Sequence, residues 1–414
     1  MAYDIERVRS AFPSLSETDG GQPRIYFDNP GGTQICQRSI DRMNEYLVRA
    51  NTNTHGPFRT SRMTDEIIHE THAALADFVG ADDPGEIVFG QNMTTITLHL
   101  SRSLAHLLNE GDEIVVTRMD HDANISPWLL VARDRGCTVR WIDFDPQTYR
   151  YDEASVDAAI TEKTRIVAVG YASNAIGTVN DVASVAEKAH AVGALVFVDA
   201  VQFAPHFVMD VKAIGCDILA CSPYKFYGPH QGMAWARRDL LESLSPYKVR
   251  PADDTLPSRF ETGTQSHEGM AATLGAVEHF EWMGTAMGAG GTTRRERLVS
   301  GMEVLIDYER DLTRHLITGL QAIPGVRVHG LTREEDLTDR VPTVGMVKEG
   351  SDPDTLARRL AEANIFTWPG HYYAIEVIER LGLSASGGML RIGLGQYNTV
   401  EEIDRLLNVL DARG

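Results

Sequence analysis

Lys225 stands in the stretch CSPYKFYGPHQG, residues 221–232, among prolines, aromatics and small residues and directly behind an apolar run. That setting does not resemble a surface helix. Upstream, ALVFVDAVQFAPH ends a strand-like apolar run on Asp199, with Gln202 three residues later. A carboxylate at the carboxyl end of a buried parallel strand occupies the place where open α/β sheets bind ligands. Alone, Asp199 reads equally well as the cap of the next turn, and Lys225 as an ordinary solvated lysine. If CDILACS forms the adjacent strand, however, it delivers Ser222 and Lys225 to the same edge as Asp199. A buried lysine paired with such a carboxylate meets the needs of pyridoxal phosphate. The amine forms a Schiff base with the aldehyde, and the carboxylate keeps the pyridine nitrogen protonated so that the ring accepts electrons.

Other strand ends carry polar residues that suit the same group. In EIVFGQNMTTITLHLSRSL a strand and a glycine turn lead to Thr94 and Thr95 at the start of a helix, a setting for a phosphate. By themselves two threonines there are helix caps. His121 in RMDHDANISPW follows a strand and could stack on a flat ring, although a lone loop histidine is ordinarily a surface residue. Asn174 in YASNAIGTVND also follows an apolar run, with Gly177 permitting close approach of the chain; alone it is a turn asparagine.

The elements that must position these residues are legible from periodicity. GDEIVVTRMD, TRIVAVGYAS and ALVFVDAVQ are short β-branched runs, separated by helical stretches such as DVASVAEKAHAVG. This alternation predicts a mostly parallel sheet covered on both faces, within roughly residues 20–285. GTAMGAGGTTRRER, residues 284–297, leads out of it as a connection or the start of a long helix. Beyond it, LIDYERDLTRHLITGLQAI and SDPDTLARRLAEAN read as helices, and GVRVHG, VPTVGMV and GMLRIGLGQYNT as strands, which predicts a smaller α+β domain. A chain of 414 residues supports two such domains. Its 39 basic against 58 acidic residues give a net charge of -19 with no basic stripe, which argues against nucleic acid and anionic membranes as partners. The four cysteines, Cys36, Cys137, Cys216 and Cys221, are scattered without metal-ligand spacing, so no metal is expected and a reduced cytoplasm is the simplest compartment. MAYDIERVRSAF lacks the apolar core of a signal peptide, and no apolar run approaches a membrane span.

The run VDAVQFAPH…MDVKAIGCDILACSPYKFYGPHQG resembles the class V aminotransferase superfamily of fold-type I pyridoxal phosphate enzymes, within it the cysteine desulfurase branch. IYFDNPGGTQ, MTTITL, MDHDANISPW, SNAIGTVNDV, RFETGTQSHEG and LRIGLGQYNTVEEID follow in the family's order, so the likeness covers nearly the whole chain. The resemblance implies an α/β fold-type I transferase fold. Its large pyridoxal phosphate-binding domain, residues 21–285, has a mostly parallel seven-stranded sheet. A smaller α+β domain spans 286–414, and residues 1–20 form a segment packing on that smaller domain. It implies Lys225 as the Schiff-base lysine, Asp199 beneath the pyridine nitrogen and His121 stacked on the ring. Gln202 and Asn174 would bond the phenolic oxygen, and Thr94, Thr95 and Ser222 would hold the phosphate with Tyr224 nearby. Thr264 would reach the neighbouring subunit's cofactor, which implies a homodimer with composite active sites. Arg391 would take the substrate α-carboxylate, with Tyr372, Tyr373 and Asn29 also toward substrate.

The departures from the family pattern bear on the reaction. Cysteine desulfurases accept sulfur on a loop cysteine, whereas FTWPGHYYAIEV puts Tyr373 at that position and Trp368 where an arginine is usual. A tyrosine hydroxyl cannot form a persulfide. Tyr224, Asp122, His55 and Phe58 also replace the usual residues. The chain is similar to a desulfurase-like subfamily with a GHYYA-type loop. The reading that follows is an enzyme forming a Cα carbanion from an L-amino acid and cleaving at the β carbon, as a carbon–sulfur or carbon–carbon lyase, without a persulfide. A class V transaminase and a non-catalytic cofactor-binding protein are the alternatives.

Overall fold

The computed structural model describes residues 3–412. Seven strands form the large sheet: β1 (Ile87–Gly90), β2 (Glu113–Thr117), β3 (Thr138–Ile142), β4 (Thr164–Gly170), β5 (Leu195–Asp199), β6 (Ile218–Cys221) and β7 (Gly232–Ala236). Their spatial order is β1-β7-β6-β5-β4-β2-β3. All adjacent pairs are parallel except those made by β7, which runs antiparallel to both β1 and β6. Only residues 222–231 separate β6 from β7. That is too short for a crossover helix, so the chain returns antiparallel. The apolar runs Ile-Val-Val-Thr and Val-Phe-Val-Asp are buried throughout because helices cover both faces.

The predicted connection at 284–297 is a short turn between two long helices, His267–Ala286 and Arg294–Ala322. These cross in close contact. A Cβ added at Gly284 would lie 1.8 Å from the Arg297 carbonyl oxygen, and one at Gly301 would lie 2.4 Å from that of Phe280.

The second sheet is antiparallel, with β8 (Val326–His329), β9 (Thr343–Lys348), β10 (Trp368–Gly370) and β11 (Met389–Gly393) in the order β8-β9-β11-β10. Helices Arg294–Ala322, Pro353–Glu362 and Val400–Asp411 bury their apolar faces on it, with Leu316, Leu320, Leu360 and Leu406 in one cluster. Sequence reading had no strand at β10. Its three residues, Trp-Pro-Gly, lack an alternating pattern, and pairing with β11 alone makes them a strand.

The amino-terminal stretch pairs beside the second sheet. Ile25–Tyr26 pairs in parallel with Ile365–Phe366, and Asp28 forms a bridge with Gly393 at the end of β11. Ahead of it, Tyr3 stacks on Tyr308 at 3.9 Å, and the Arg9 guanidinium lies 2.8 Å from Glu402. Among the described residues no helix is long and apolar enough to cross a membrane.

Candidate active site

The carboxyl ends of β1, β2, β4, β5 and β6 converge on a cavity of about 420 Å³. Asp199 ends β5 opposite Gly170 of β4 and Ala220 of β6. Ser222 follows β6, and the turn Pro223–Lys225 then carries the lysine inward. The buried Lys225 Nζ donates to the carbonyls of Pro30 and Gly31, the latter at 3.1 Å, and lies 4.7 Å from the centre of the Tyr224 ring. Burial, with the nearby Arg391 charge, pushes this amine down to about 7, against the pull of Asp28 and Asp199. A substantial neutral fraction near neutral pH makes Lys225 a nucleophile toward an aldehyde. Burial pushes the Asp199 carboxyl up to about 6, opposed by the Val201 N–H it accepts at 2.9 Å and by Lys225.

Across the cavity the helix Met93–Leu104 presents its amino terminus, capped by Asn92, which accepts the Thr95 N–H at 2.9 Å. Ser222 Oγ accepts the Met93 N–H at 3.0 Å, tying the lysine turn to that helix end. Thr94 lines the cavity. With the Met93 and Thr95 N–H groups already bonded, the Thr94 N–H and the helix dipole make this end an anion site.

His121 follows β2. Its Nδ1 accepts the Ala123 N–H at 3.0 Å, and burial together with Lys225 and Arg391 pushes it down to about 3, so the ring is neutral. Asn174 donates to the Tyr372 carbonyl at 2.8 Å, and its Oδ1 is buried without a partner. Gln202 donates to the Pro30 carbonyl at 2.8 Å. Arg391, on β11, donates to Asp28 Oδ1 at 2.9 Å and to the Asn174 carbonyl at 3.1 Å, with its guanidinium 4.5 Å from the Tyr372 ring centre.

The loop after β10 closes one side. Tyr372 and Tyr373 both have left-handed backbones, φ 53° and 59°, which is uncommon for bulky residues and must be held by surrounding bonds. Asn174 binds the Tyr372 carbonyl, the Tyr372 hydroxyl donates to the Met389 carbonyl, the Tyr373 N–H reaches His371 Nδ1 at 3.1 Å, and the Asp122 N–H reaches the Tyr373 carbonyl at 2.8 Å. The Tyr373 ring stacks on His121, centroids 5.4 Å apart.

The structure thus brings Lys225, Asp199, His121, Asn174, Gln202, Ser222, Tyr224, Thr94, Arg391, Tyr372 and Tyr373 to one cavity, with Trp368 at its rim. It leaves four residues elsewhere. Thr95 is exposed, bonded to its own cap Asn92, and faces a separate hollow shared with Thr264, which is also exposed. Asn29 is buried against the Gly393 carbonyl at 2.8 Å and Asn398 at 3.1 Å, so it joins the second sheet to the amino-terminal stretch instead of lining the cavity. Phe58, one of the departures from the family pattern, caps the helix Arg59–Val79 outside the cavity, half exposed. None of the four cysteines lines the cavity. Cys36, Cys216 and Cys221 are buried, and Cys221 lies against Met233 at 3.0 Å.

Asp28 and Asp120 line the cavity and were not singled out from the sequence. Asp120 accepts from Thr117 Oγ1 at 2.6 Å, the Gly170 N–H at 2.9 Å and Asn124 at 2.7 Å, and burial pushes it up to about 7. It thereby clasps the His121 turn to β4. Its place directly before His121 was the available signal.

An aldehyde-bearing, phosphorylated pyridine fits this donor set. A buried amine, a buried carboxylate, an orphaned amide oxygen and a helix amino terminus with hydroxyls surround one cavity. Among the described residues no cluster of His, Cys, Asp or Glu suits a metal ion.

Comparison with known proteins follows the same line. The profile of the family described as Aminotransferase class-V matches residues 25–406. The Aminotransferase-like protein FGM3 of Gibberella zeae is 31% identical, over 99% of this chain and 98% of that protein. A cysteine desulfurase of Synechococcus elongatus is 30% identical over 98% of this chain, which spans 63% of that enzyme's length. Among solved structures, the apo cysteine desulfurase of Thermococcus onnurineus NA1 superposes with a TM-score of 0.88 at 26% identity, covering 99% of this chain and 98% of its own.

Proposed function

Because the chain belongs to the class V aminotransferase family, whose enzymes depend on pyridoxal 5'-phosphate, we propose that it acts on an L-amino acid by removing the Cα proton and breaking a β-bond, carbon–sulfur or carbon–carbon, without an enzyme persulfide. When bound, the cofactor supplies an aldehyde that exchanges onto the substrate amine and a ring that draws electrons from Cα. On this proposal Lys225 would bind the cofactor's aldehyde and, when free, take the substrate Cα proton. Asp199 would face the ring nitrogen and hold its proton, and the neutral His121 would stack on the ring without adding a positive charge. Thr94, Ser222 and the helix amino terminus would hold the phosphate, Asn174 and Gln202 would face the phenolic oxygen, and Arg391 would grip the substrate carboxylate. Tyr372 and Tyr373 exclude water from one side.

The observation that carries the lyase reading is the absence of any thiol among the cavity-lining residues, with Tyr373 in the closing loop and the lysine–carboxylate pair in place. A desulfurase passing sulfur to its own cysteine needs a reactive thiolate within reach. The name of the Gibberella zeae relative favours a second reading, an aminotransferase.

On the same proposal the protein is a cytoplasmic homodimer with composite sites, Thr264 reaching the partner's cofactor. Its large domain is residues 21–285, its small domain 286–414, and the segment 1–20 packs on the latter through residues 3–20, with residues 1, 2, 413 and 414 lying outside the described residues. A screen of single amino acids against the holoprotein tests the reaction. Release of sulfide or pyruvate with the cofactor retained as the aldehyde is the expected result. Stoichiometric conversion of the cofactor to its amine would establish the aminotransferase instead, and a persulfide on any cysteine would end the thiol-free mechanism.

A further inference from the structure

We propose that Asp28 is the positioning residue of the substrate-carboxylate clamp, fixing the orientation of the Arg391 guanidinium toward a carboxylate entering the cavity. This rests on the assignment of Arg391 as the clamp. Arg391 is only 4% exposed, so its charge needs a counter-charge and its orientation is set by what touches it. Asp28 Oδ1 holds Nη2 at 2.9 Å, the Asn174 carbonyl holds Nη1 at 3.1 Å, and the Tyr372 ring covers one face. Nε is buried without a partner. An unpaired buried guanidinium donor in a residue lining the cavity is costly unless a ligand meets it. Nη1 and Nη2 each carry two N–H bonds, so each keeps one beyond those given to the Asn174 carbonyl and to Asp28. A planar guanidinium held in this way is suited to bidentate recognition of a carboxylate.

Asp28 is itself held for this task. Its carbonyl accepts the N–H groups of Gly31 at 2.9 Å and Gly32 at 3.2 Å, and its backbone bridges Gly393, two residues beyond Arg391. A Cβ on Gly31 would come 2.3 Å from Asp28 Oδ2, so the glycine leaves room for the carboxylate. The contrary possibility is that Asp28 competes with the substrate for Arg391. The two predict opposite responses to losing its side chain.

The test uses holoenzyme of the parent, Asp28→Ala, Asp28→Asn and Arg391→Ala, each checked for cofactor content. Calorimetry gives the dissociation constant of butyrate, and the cofactor spectrum gives those of L-alanine and ethylamine. Asp28→Ala should weaken butyrate and L-alanine by at least about tenfold while leaving ethylamine, which has no carboxylate, unchanged. Asp28→Asn should stay near the parent value, because its amide oxygen accepts the same Nη2 hydrogen. Unchanged or tighter butyrate binding in Asp28→Ala overturns the proposal, as does tighter binding in Asp28→Asn should the alanine variant not fold. If Arg391→Ala also leaves butyrate unaffected, the clamp assignment itself falls; if Arg391→Ala weakens it and Asp28→Ala does not, only the role of Asp28 falls.

Discussion

Lys225 and Asp199 occupy the same cavity, yet burial moves them in opposite directions, the amine down to about 7 and the carboxyl up to about 6. Desolvation disfavours the charged form of each, and their mutual attraction restores part of it. Groups displaced toward neutrality in a cleft are poised for proton transfer near physiological pH. Lys225→Ala should therefore lower turnover by about 10²–10⁴-fold, and borohydride treatment of the parent holoprotein should label the peptide containing Lys225. Labelling of another lysine would remove the assignment. Both residues were visible in the sequence, because each stands as a charged residue at the end of an apolar run. Asp28 was not, since its role comes from Arg391, 363 residues away in the chain.

The elements hold these groups by close approach. The crossing of helices His267–Ala286 and Arg294–Ala322 at Gly284 and Gly301 leaves no room for a methyl group. Gly284→Ala should cost about 1–3 kcal/mol of stability, read as a fall in the denaturant midpoint with the slope unchanged. An unaltered midpoint would mean that the helices separate freely. Strands β1, β2, β4, β5 and β6, the long helix after residue 293 and the capped helix at 353 follow from apolar periodicity and capping residues such as Asp352, whereas the edge strand β3, Thr-Val-Arg-Trp-Ile and only partly buried, was not read. β7 and β10 did not emerge, because their identity as strands rests on partners distant in sequence, β1 and β6 for one and β11 for the other. The left-handed backbone at Tyr372 and Tyr373 is likewise decided by Asn174, Asp122 and His371, since neither tyrosine favours it alone.

At the scale of the molecule, a cofactor-free interior holding a buried amine carries a pH-dependent penalty. The folded-state value of Lys225 is depressed from an ordinary 10.5 to about 7, so between these values the unfolded chain binds the extra proton. Stability of the cofactor-free protein then rises with pH across that window. Lys225→Met should raise its melting temperature more at pH 6 than at pH 9, a difference equivalent to about 3 kcal/mol. Equal gains at both would show that the amine ionises as it does in water. The order of apolar runs and the chemistry-bearing residues at their ends determined the sheet type, the cofactor class and the lysine–carboxylate pair, because those signals are local and periodic. Tertiary structure alone decided that Thr95 and Asn29 lie off the cavity, that Asp28 grips Arg391 and that Tyr373 rests on His121. Those outcomes depend on which segments remote in the chain come within hydrogen-bond reach, and no local pattern encodes that distance.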